Sequence, residues 1–157
     1  MRTLVWQDAL RIGHPRIDSE HERLVELAGR IEDLVGGRQS VDGIQRECGA
    51  FLDLLKSHCA FEETLLRKLP LSYVDRIDAH IFDHRFLIIH AEDLAERLCA
   101  GKRDIADLAD LSKTVMRLMR ELLVDDVELV GGLLREGKME LGSHLAPFAP
   151  LPITPTA

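Results

Sequence analysis

Aromatic residues are scarce in this chain, at 4% of its 157 residues, although hydrophobic residues make up 46%. The apolar residues are therefore mainly leucine, isoleucine, valine and alanine, and they recur at spacings of three and four rather than in alternation. This pattern predicts helices and argues against a β-sheet. A chain of this length typically folds as one domain that buries its own core.

Long apolar runs, basic charge and paired cysteines are also missing. No apolar run reaches membrane-spanning length, and residues 1–13 contain no apolar segment typical of a secretory leader. A net charge of −7 disfavours binding to a phosphate backbone. The cysteines, Cys48, Cys59 and Cys99, form no Cys-x-x-Cys motif, which indicates buried, inert thiols in a reducing compartment. We therefore expect a cytoplasmic protein that binds neither membranes nor nucleic acid.

Glycine, proline and capping residues divide the chain into four predicted helices. The first would begin at an Asp18 N-cap, the third at a capping pair of Ser72 and Asp75, and the fourth at Asp104, with a weak point at Gly131-Gly132. The predicted ranges are about 18–35, 40–68, 72–100 and 104–135. Because the connections are short, we expect an all-α, up-down-up-down antiparallel four-helix bundle over residues 1–136. An N-terminal arm would precede it, and residues 137–157 would form an irregular, proline-rich tail.

Residue types that bind metals recur on each predicted helix. On the second and third helices they are four residues apart, so each pair can bind a metal from one helix face. In an antiparallel bundle the four sets would lie at similar heights, as in di-iron four-helix proteins. The candidates are His21 on the first helix, His58 and Glu62 on the second, His80 and His84 on the third, and Glu121 with Asp125 or Asp126 on the fourth.

Each of these features also has an ordinary structural explanation. A lone histidine on an apolar face is commonly a core or boundary residue, which we expect for His14, His90 and His144. A His-Glu pair four residues apart is often a surface ion pair, and the acidic run on the fourth helix could be a solvated face. Two pairs at matching heights on adjacent helices nevertheless favour a metal site. Imidazole and carboxylate without thiolate suit iron, manganese or zinc.

At these residues the chain resembles the bacterial hemerythrin family. The segment WQDALRIGHPRIDSEHERLVEL is similar to the family's first-helix signature, HCAFEETLL to its His-x-x-x-Glu motif and HIFDH to its His-x-x-x-His motif. The resemblance covers about residues 4–130. It implies a left-twisted four-helix bundle that holds two iron ions, joined by an oxo or hydroxo bridge, and binds O2 reversibly. By this resemblance His21, His58, His80 and His84 are terminal ligands and Glu62 is a bridge.

The fourth helix departs from the family pattern, in which an aspartate follows a histidine by five residues. Here the segment is ELLVDD, so Glu121 occupies the histidine position if Asp126 is the bridging aspartate. Asp125 is the alternative on helix geometry, because residues five apart differ by about 140° on an ideal helix; the resemblance favours Asp126. A carboxylate in place of an imidazole stabilises Fe(III) over Fe(II). We therefore expect a centre that binds O2 but autoxidises readily.

Three functions are compatible with this sequence. The first is an O2-binding module for carriage, storage or sensing, which could also admit peroxide or NO. The second is a di-iron oxidase or peroxidase, and the third is a signalling bundle that acts through a separate redox or signalling protein. For the first we predict that His80, His84 and Glu121 bind one iron, that His21 and His58 bind the other, that Glu62 and Asp126 bridge them, and that Phe61 and Phe82 exclude water.

Overall fold

The computed structural model describes residues 5–37, 40–100, 105–120 and 124–139. These ranges contain helices and no strand, which confirms the all-α prediction for the described part of the chain. None of the described helices is long and apolar enough to cross a membrane. The helices are α1 (Pro15–Gly36), α2 (Val41–Leu66), α3 (Val74–Cys99), α4 (Ile105–Arg120) and α5 (Asp126–Arg135), with single 3-10 turns at Asp8–Leu10 and Leu71–Tyr73.

The first four helices pack in a closed cycle, α1 on α2, α2 on α3, α3 on α4 and α4 on α1. Their buried apolar side chains form two clusters. The larger includes Leu24, Leu55 and Leu87, and the smaller joins Ile12 and Ile17 of the N-terminal region to the ends of α2, α3 and α5. Along each of α1, α2 and α3, residues of the larger cluster lie on one side of the predicted metal ligands and residues of the smaller cluster lie on the other. The fold therefore surrounds these polar side chains with apolar packing on both sides.

The start of α1 differs from the prediction. Pro15 is the first helical residue. A backbone N–H has no intrahelical acceptor at this position, so the lack of one in proline costs no hydrogen bond. The N-cap is His14, whose Nδ1 accepts a hydrogen bond from the Ile17 N–H at 3.4 Å. Asp18 lies inside the helix and accepts hydrogen bonds from the N–H groups of Ile12 (2.7 Å) and Gly13 (3.1 Å). The prediction of Asp18 as N-cap was therefore wrong, because its carboxylate holds the preceding arm instead.

Replacing Asp18 with alanine should lower the free energy of unfolding by about 2–4 kcal/mol. The change leaves two backbone N–H groups without an acceptor, one of them in a buried bond, and each such group costs about 1–3 kcal/mol. Urea denaturation would measure the change. The matched control is Asp8→Ala, because Asp8 is exposed and pairs with Arg11 at the surface; an equal loss in both variants would contradict the role assigned to Asp18.

The other helix boundaries give mixed outcomes. The α2 start is confirmed, since the Ser40 side chain accepts from the Gly43 N–H at 3.3 Å. The predicted Ser72–Asp75 capping pair was wrong: Ser72 lies in the 3-10 turn, and α3 starts after Tyr73 without a side-chain cap. Asp104 lies outside the described residues. The predicted fourth helix is described as α4 and α5, on either side of residues 121–123, which are also outside the description.

Gly131 and Gly132 lie within α5 rather than at a helix end. A Cβ at Gly131 would lie 3.5 Å from the Ile12 Cβ, an ordinary van der Waals distance, so the N-terminal arm packs against this helix. Met139 is buried in the smaller apolar cluster, beyond the predicted domain boundary at residue 136. Residues 140–157 of the predicted tail lie outside the described residues.

Candidate metal centre

Six of the predicted ligands meet in the interior, and none is more than 5% exposed. They are His21 from α1, His58 and Glu62 from α2, His80 and His84 from α3, and Asp126 from α5. Glu121 lies outside the described residues. Asp125 is only partly buried and is not in the cluster. Four separate elements thus bring their imidazole and carboxylate groups to one place.

The six side chains divide into two groups that share Asp126. In each group the potential ligand atoms lie within 4.8 Å of one another; one group is Glu62, His80, His84 and Asp126, and the other is His21, His58 and Asp126. Asp126 directs Oδ1 towards His80 Nε2 and Oδ2 towards His21 Nε2, each at 3.2 Å. Because one carboxylate presents a different oxygen to each group, the arrangement suits two cations with Asp126 between them.

The cluster contains several buried polar atoms that have no hydrogen-bond partner among the described residues. They include Glu62 Oε1, both carboxylate oxygens of Asp126 and Nε2 of His84. His84 Nε2 is only 3.2 Å from Glu62 Oε2, yet the contact lacks hydrogen-bond geometry. An unsatisfied buried polar group costs about 1–3 kcal/mol, and a coordinated cation would offset that cost. The donor set and these unpaired atoms therefore fit bound metal ions of the iron, manganese or zinc type.

The histidines and carboxylates of the cluster shift one another's pKa values. Burial disfavours a charged His58, but the hydrogen bond with Glu20 and the nearby carboxylates of Asp126 and Glu62 outweigh it and raise its pKa to about 10. The pKa of His80 is raised to about 10 by the corresponding interactions with Asp126 and Glu62. Burial also opposes ionisation of Asp126, yet the surrounding histidines hold its pKa well below the ordinary range. A metal ion must therefore compete with protons for these ligands.

A π-type turn at Val124 and Asp125 immediately precedes Asp126. Such a turn contains more residues than an α-helical turn, so residues five apart come closer to sharing a face. Asp125 would be the better-placed residue only on an ideal α-helix. The backbone departs from that geometry here and brings Asp126 into the cluster, with Asp125 at its edge.

Comparison with known proteins agrees with this geometry. The family model described as "Hemerythrin HHE cation binding domain" matches residues 13–129. This chain belongs to the hemerythrin family. It is 33% identical over 107 residues to the bacteriohemerythrin of Pseudomonas aeruginosa (strain LESB58), covering 68% of this chain and 67% of that protein. Over the same coverage it is 33% identical to the bacteriohemerythrin of Pseudomonas paraeruginosa and 31% identical to that of Stenotrophomonas maltophilia. No solved structure matches.

Glu20 is a site residue of this hemerythrin that the sequence argument missed. It is 2% exposed; its Oε2 accepts from His58 Nδ1 at 3.1 Å, and its Oε1 accepts from Arg16 Nε at 2.8 Å. With Nδ1 held in this way, Nε2 of His58 faces the cluster, an arrangement common among metal-binding histidines. The available signal was its position, three residues after Ile17 and four before Leu24, on the apolar side of α1.

Two further expectations for this hemerythrin concern residues around the centre. Phe82 is 66% exposed, so the prediction that it keeps water from the site was wrong. It lies two residues from both His80 and His84, about 200° around the helix from each. Phe61 is partly buried, and the Arg16 guanidinium carbon lies 3.8 Å from the centroid of its ring. The Trp6 ring lies edge-on to the His21 ring, with the two centroids 6.5 Å apart.

The remaining histidines lie apart from the cluster or outside the description. His14 is buried as the N-cap of α1, which agrees with its expected structural role. His90 is exposed and lies against the Phe86 ring at 4.2 Å between centroids. His90 is therefore a surface residue and not the core or boundary residue expected from the sequence, and it lies outside the ligand cluster. His144 lies outside the described residues.

Proposed function

We propose that this chain is a non-haem di-iron protein that binds O2 for carriage, storage or sensing. The supporting observation is the sharing of Asp126 between two buried ligand groups. The family of the chain and the name bacteriohemerythrin of its relatives agree with it. In this proposal His80, His84 and Glu121 bind one iron, His21 and His58 bind the other, and Glu62 and Asp126 bridge the pair.

The architecture proposed around this centre is an up-down-up-down four-helix bundle over residues 1–136, followed by a proline-rich tail. The cyclic packing of α1 to α4 supports it. Pairing of Glu62 with His80 and of Lys56 with Glu92 supports an antiparallel arrangement of α2 and α3, because later residues of one helix meet earlier residues of the other.

The protein side chains have separable roles in this function. Two ferrous ions, when bound, would supply the electrons that reversible O2 binding requires. Glu20 holds the His58 ring in position through Nδ1, and Arg16 holds Glu20 from the side that faces solvent. The apolar clusters above and below the ligands exclude water, which slows the loss of reduced oxygen species from such a site.

We also propose that Glu121 shifts this centre towards carboxylate ligation. The alternative function, a di-iron oxidase, peroxidase or redox sensor, is favoured by the same residue, because an added negative charge stabilises the ferric state. Peroxide and NO are alternative small ligands in either case. A separate redox or signalling protein would be the partner for the alternative function.

Replacing Glu121 with histidine should slow autoxidation of the air-exposed ferrous protein by about ten-fold or more. A unit charge about 4 Å away contributes roughly 4 kcal/mol at an effective dielectric constant of about 20, and about 1.4 kcal/mol already corresponds to ten-fold in rate. Stopped-flow absorbance would measure the rate. The matched control is Glu128→His, since Glu128 is exposed on α5 and outside the cluster. An unchanged or faster rate in Glu121→His would contradict this role.

A further inference from the structure

Two of the three cysteines meet across α2 and α3, away from the metal ligands. Cys48 is 5% exposed in the first half of α2, and Cys99 is the last residue of α3 and partly exposed. The Cys99 thiol is near enough to Cys48 to raise the pKa of the Cys48 thiol. Cys48 precedes His58 by ten residues, which is about 15 Å along the helix. The pair is therefore a cluster separate from the centre described above.

The register of the two helices places these residues together independently of the thiol contact. The Lys56 ammonium is 2.6 Å from a Glu92 carboxylate oxygen, so α2 and α3 are level at that point. Cys99 follows Glu92 by seven residues, which is two turns and returns to the same helix face. Cys48 precedes Lys56 by eight residues. Because the helices are antiparallel, both cysteines lie about 10–12 Å from the ion pair in the same direction.

The two thiols differ in their surroundings. Cys48 packs in the larger apolar cluster with Phe51 and Leu98, and burial together with the Cys99 thiol raises its pKa to about 12. It therefore remains a protonated thiol at neutral pH and is a poor first target for an oxidant. Cys99 is the member of the pair that solvent can reach, and its position at the end of α3 leaves its backbone less constrained than that of a mid-helix residue.

We propose that Cys48 and Cys99 are an oxidation site, at which hydrogen peroxide converts the two thiols into a disulfide. The Cys99 sulfur attacks a peroxide oxygen; an S–O bond forms, the O–O bond breaks, and one water leaves. The Cys48 sulfur then attacks the Cys99 sulfur while the Cys48 proton passes to the departing hydroxide; the S–S bond forms, the S–O and S–H bonds break, and a second water leaves. The two thiols lose two protons and two electrons in total, and one hydrogen peroxide is reduced to two waters.

The product would join the first half of α2 to the end of α3. A cross-link between these positions closes a loop of about 50 residues and restricts the unfolded chain. In a reducing compartment such a bond would form transiently, as expected of a site that responds to oxidant. The step uses no metal ligand, so it is independent of the proposed di-iron function.

The test is peroxide treatment of the full-length reduced protein, with its metal and in parallel after chelation. Free thiols are then alkylated, and the protein is digested without reductant and analysed by mass spectrometry. The expected product is a Cys48–Cys99 peptide in both samples, with a thermal midpoint roughly 5–10 °C above that of the reduced protein. Conversion of Cys99 to a sulfinic acid while Cys48 remains a thiol, or a disulfide between two chains, would overturn the proposal.

Cysteine variants separate this pair from the third cysteine. Cys48→Ser should lose both the cross-link and the gain in thermal midpoint, and should leave a Cys99 sulfenic acid that dimedone traps. Cys59→Ser, altered at a buried cysteine outside the pair, should keep the cross-link; its loss there would count against the assignment. Should Cys48→Ser fail to fold, Cys99→Ser at the partly exposed position provides the same test of cross-linking.

Discussion

If the proposed di-iron centre is correct, replacing Asp126 with alanine is expected to abolish binding of both metal ions. Asp126 directs one carboxylate oxygen towards each ligand group, so the change removes a ligand from both at once. It also leaves His58 and His80 buried without the carboxylate that helps to raise their pKa values. Iron per chain, measured after loading under anaerobic conditions and desalting, should fall from about two to well below one, because losing a ligand from each position weakens both.

Asp125→Ala is the matched control for this experiment. Asp125 is the neighbouring residue and has the same side chain, but it is only partly buried and lies outside the cluster. The control should retain both metal ions. If Asp125→Ala lost metal while Asp126→Ala kept it, Asp125 would be the bridging residue and the reading of the π-type turn would be incorrect.

Chelation should make the stability of this protein strongly dependent on pH between about 7 and 10. His58 and His80 have pKa values raised to about 10 from an ordinary value of 6.5. A group whose pKa is raised in the folded state contributes stability that is complete below its unfolded pKa and is lost as pH rises through the folded value. The thermal midpoint of the chelated protein should therefore fall from pH 7 to pH 10, by roughly 10 °C if about 3 kcal/mol is lost.

The carboxylates act in the opposite pH range. Histidine partners lower the pKa of Asp126 and of Glu62 against the effect of burial. Their contribution is present above the ordinary carboxyl pKa and is lost as pH falls through the folded value. At low pH the metal-free protein should therefore also lose stability.

Between pH 7 and pH 10, the thermal midpoint of metal-loaded protein should fall less than that of chelated protein, because the metal replaces the protons on the histidines. Calorimetry of both forms would measure the two midpoints, with the exposed His90→Ala variant as control. A chelated protein whose midpoint stays constant from pH 7 to pH 10 would contradict the prediction.

The metal-binding candidates on α2 and α3 could be predicted because their chemistry is local in sequence. Residues four apart share a helix face whatever the rest of the fold does, so His58 with Glu62 and His80 with His84 needed only the assumption of helices. The structure brings both pairs together with His21 and Asp126. That these side chains bind iron, and that Glu121 joins them, remain predictions.

Other features depend on contacts that sequence spacing does not encode. Aspartate is common at helix N-caps, but Asp18 instead accepts hydrogen bonds from backbone N–H groups of the preceding arm. Glu20 is a carboxylate on an apolar stripe, and its role depends on His58, 38 residues away in the chain. The π-type turn before Asp126 departs from regular α-helical geometry. Predictions from the spacing of residues assume a regular helix, so they cannot reveal such a turn.

The most direct test of the proposed function is the visible spectrum of anaerobic, ferrous-loaded protein as air is admitted and then removed under argon. We expect an absorption band that appears with air and bleaches under argon, and that loses amplitude over successive cycles as Glu121 favours autoxidation. A spectrum that changes at once to a stable diferric form, unaltered by argon, would contradict reversible O2 binding and favour the oxidase, peroxidase or redox-sensing function.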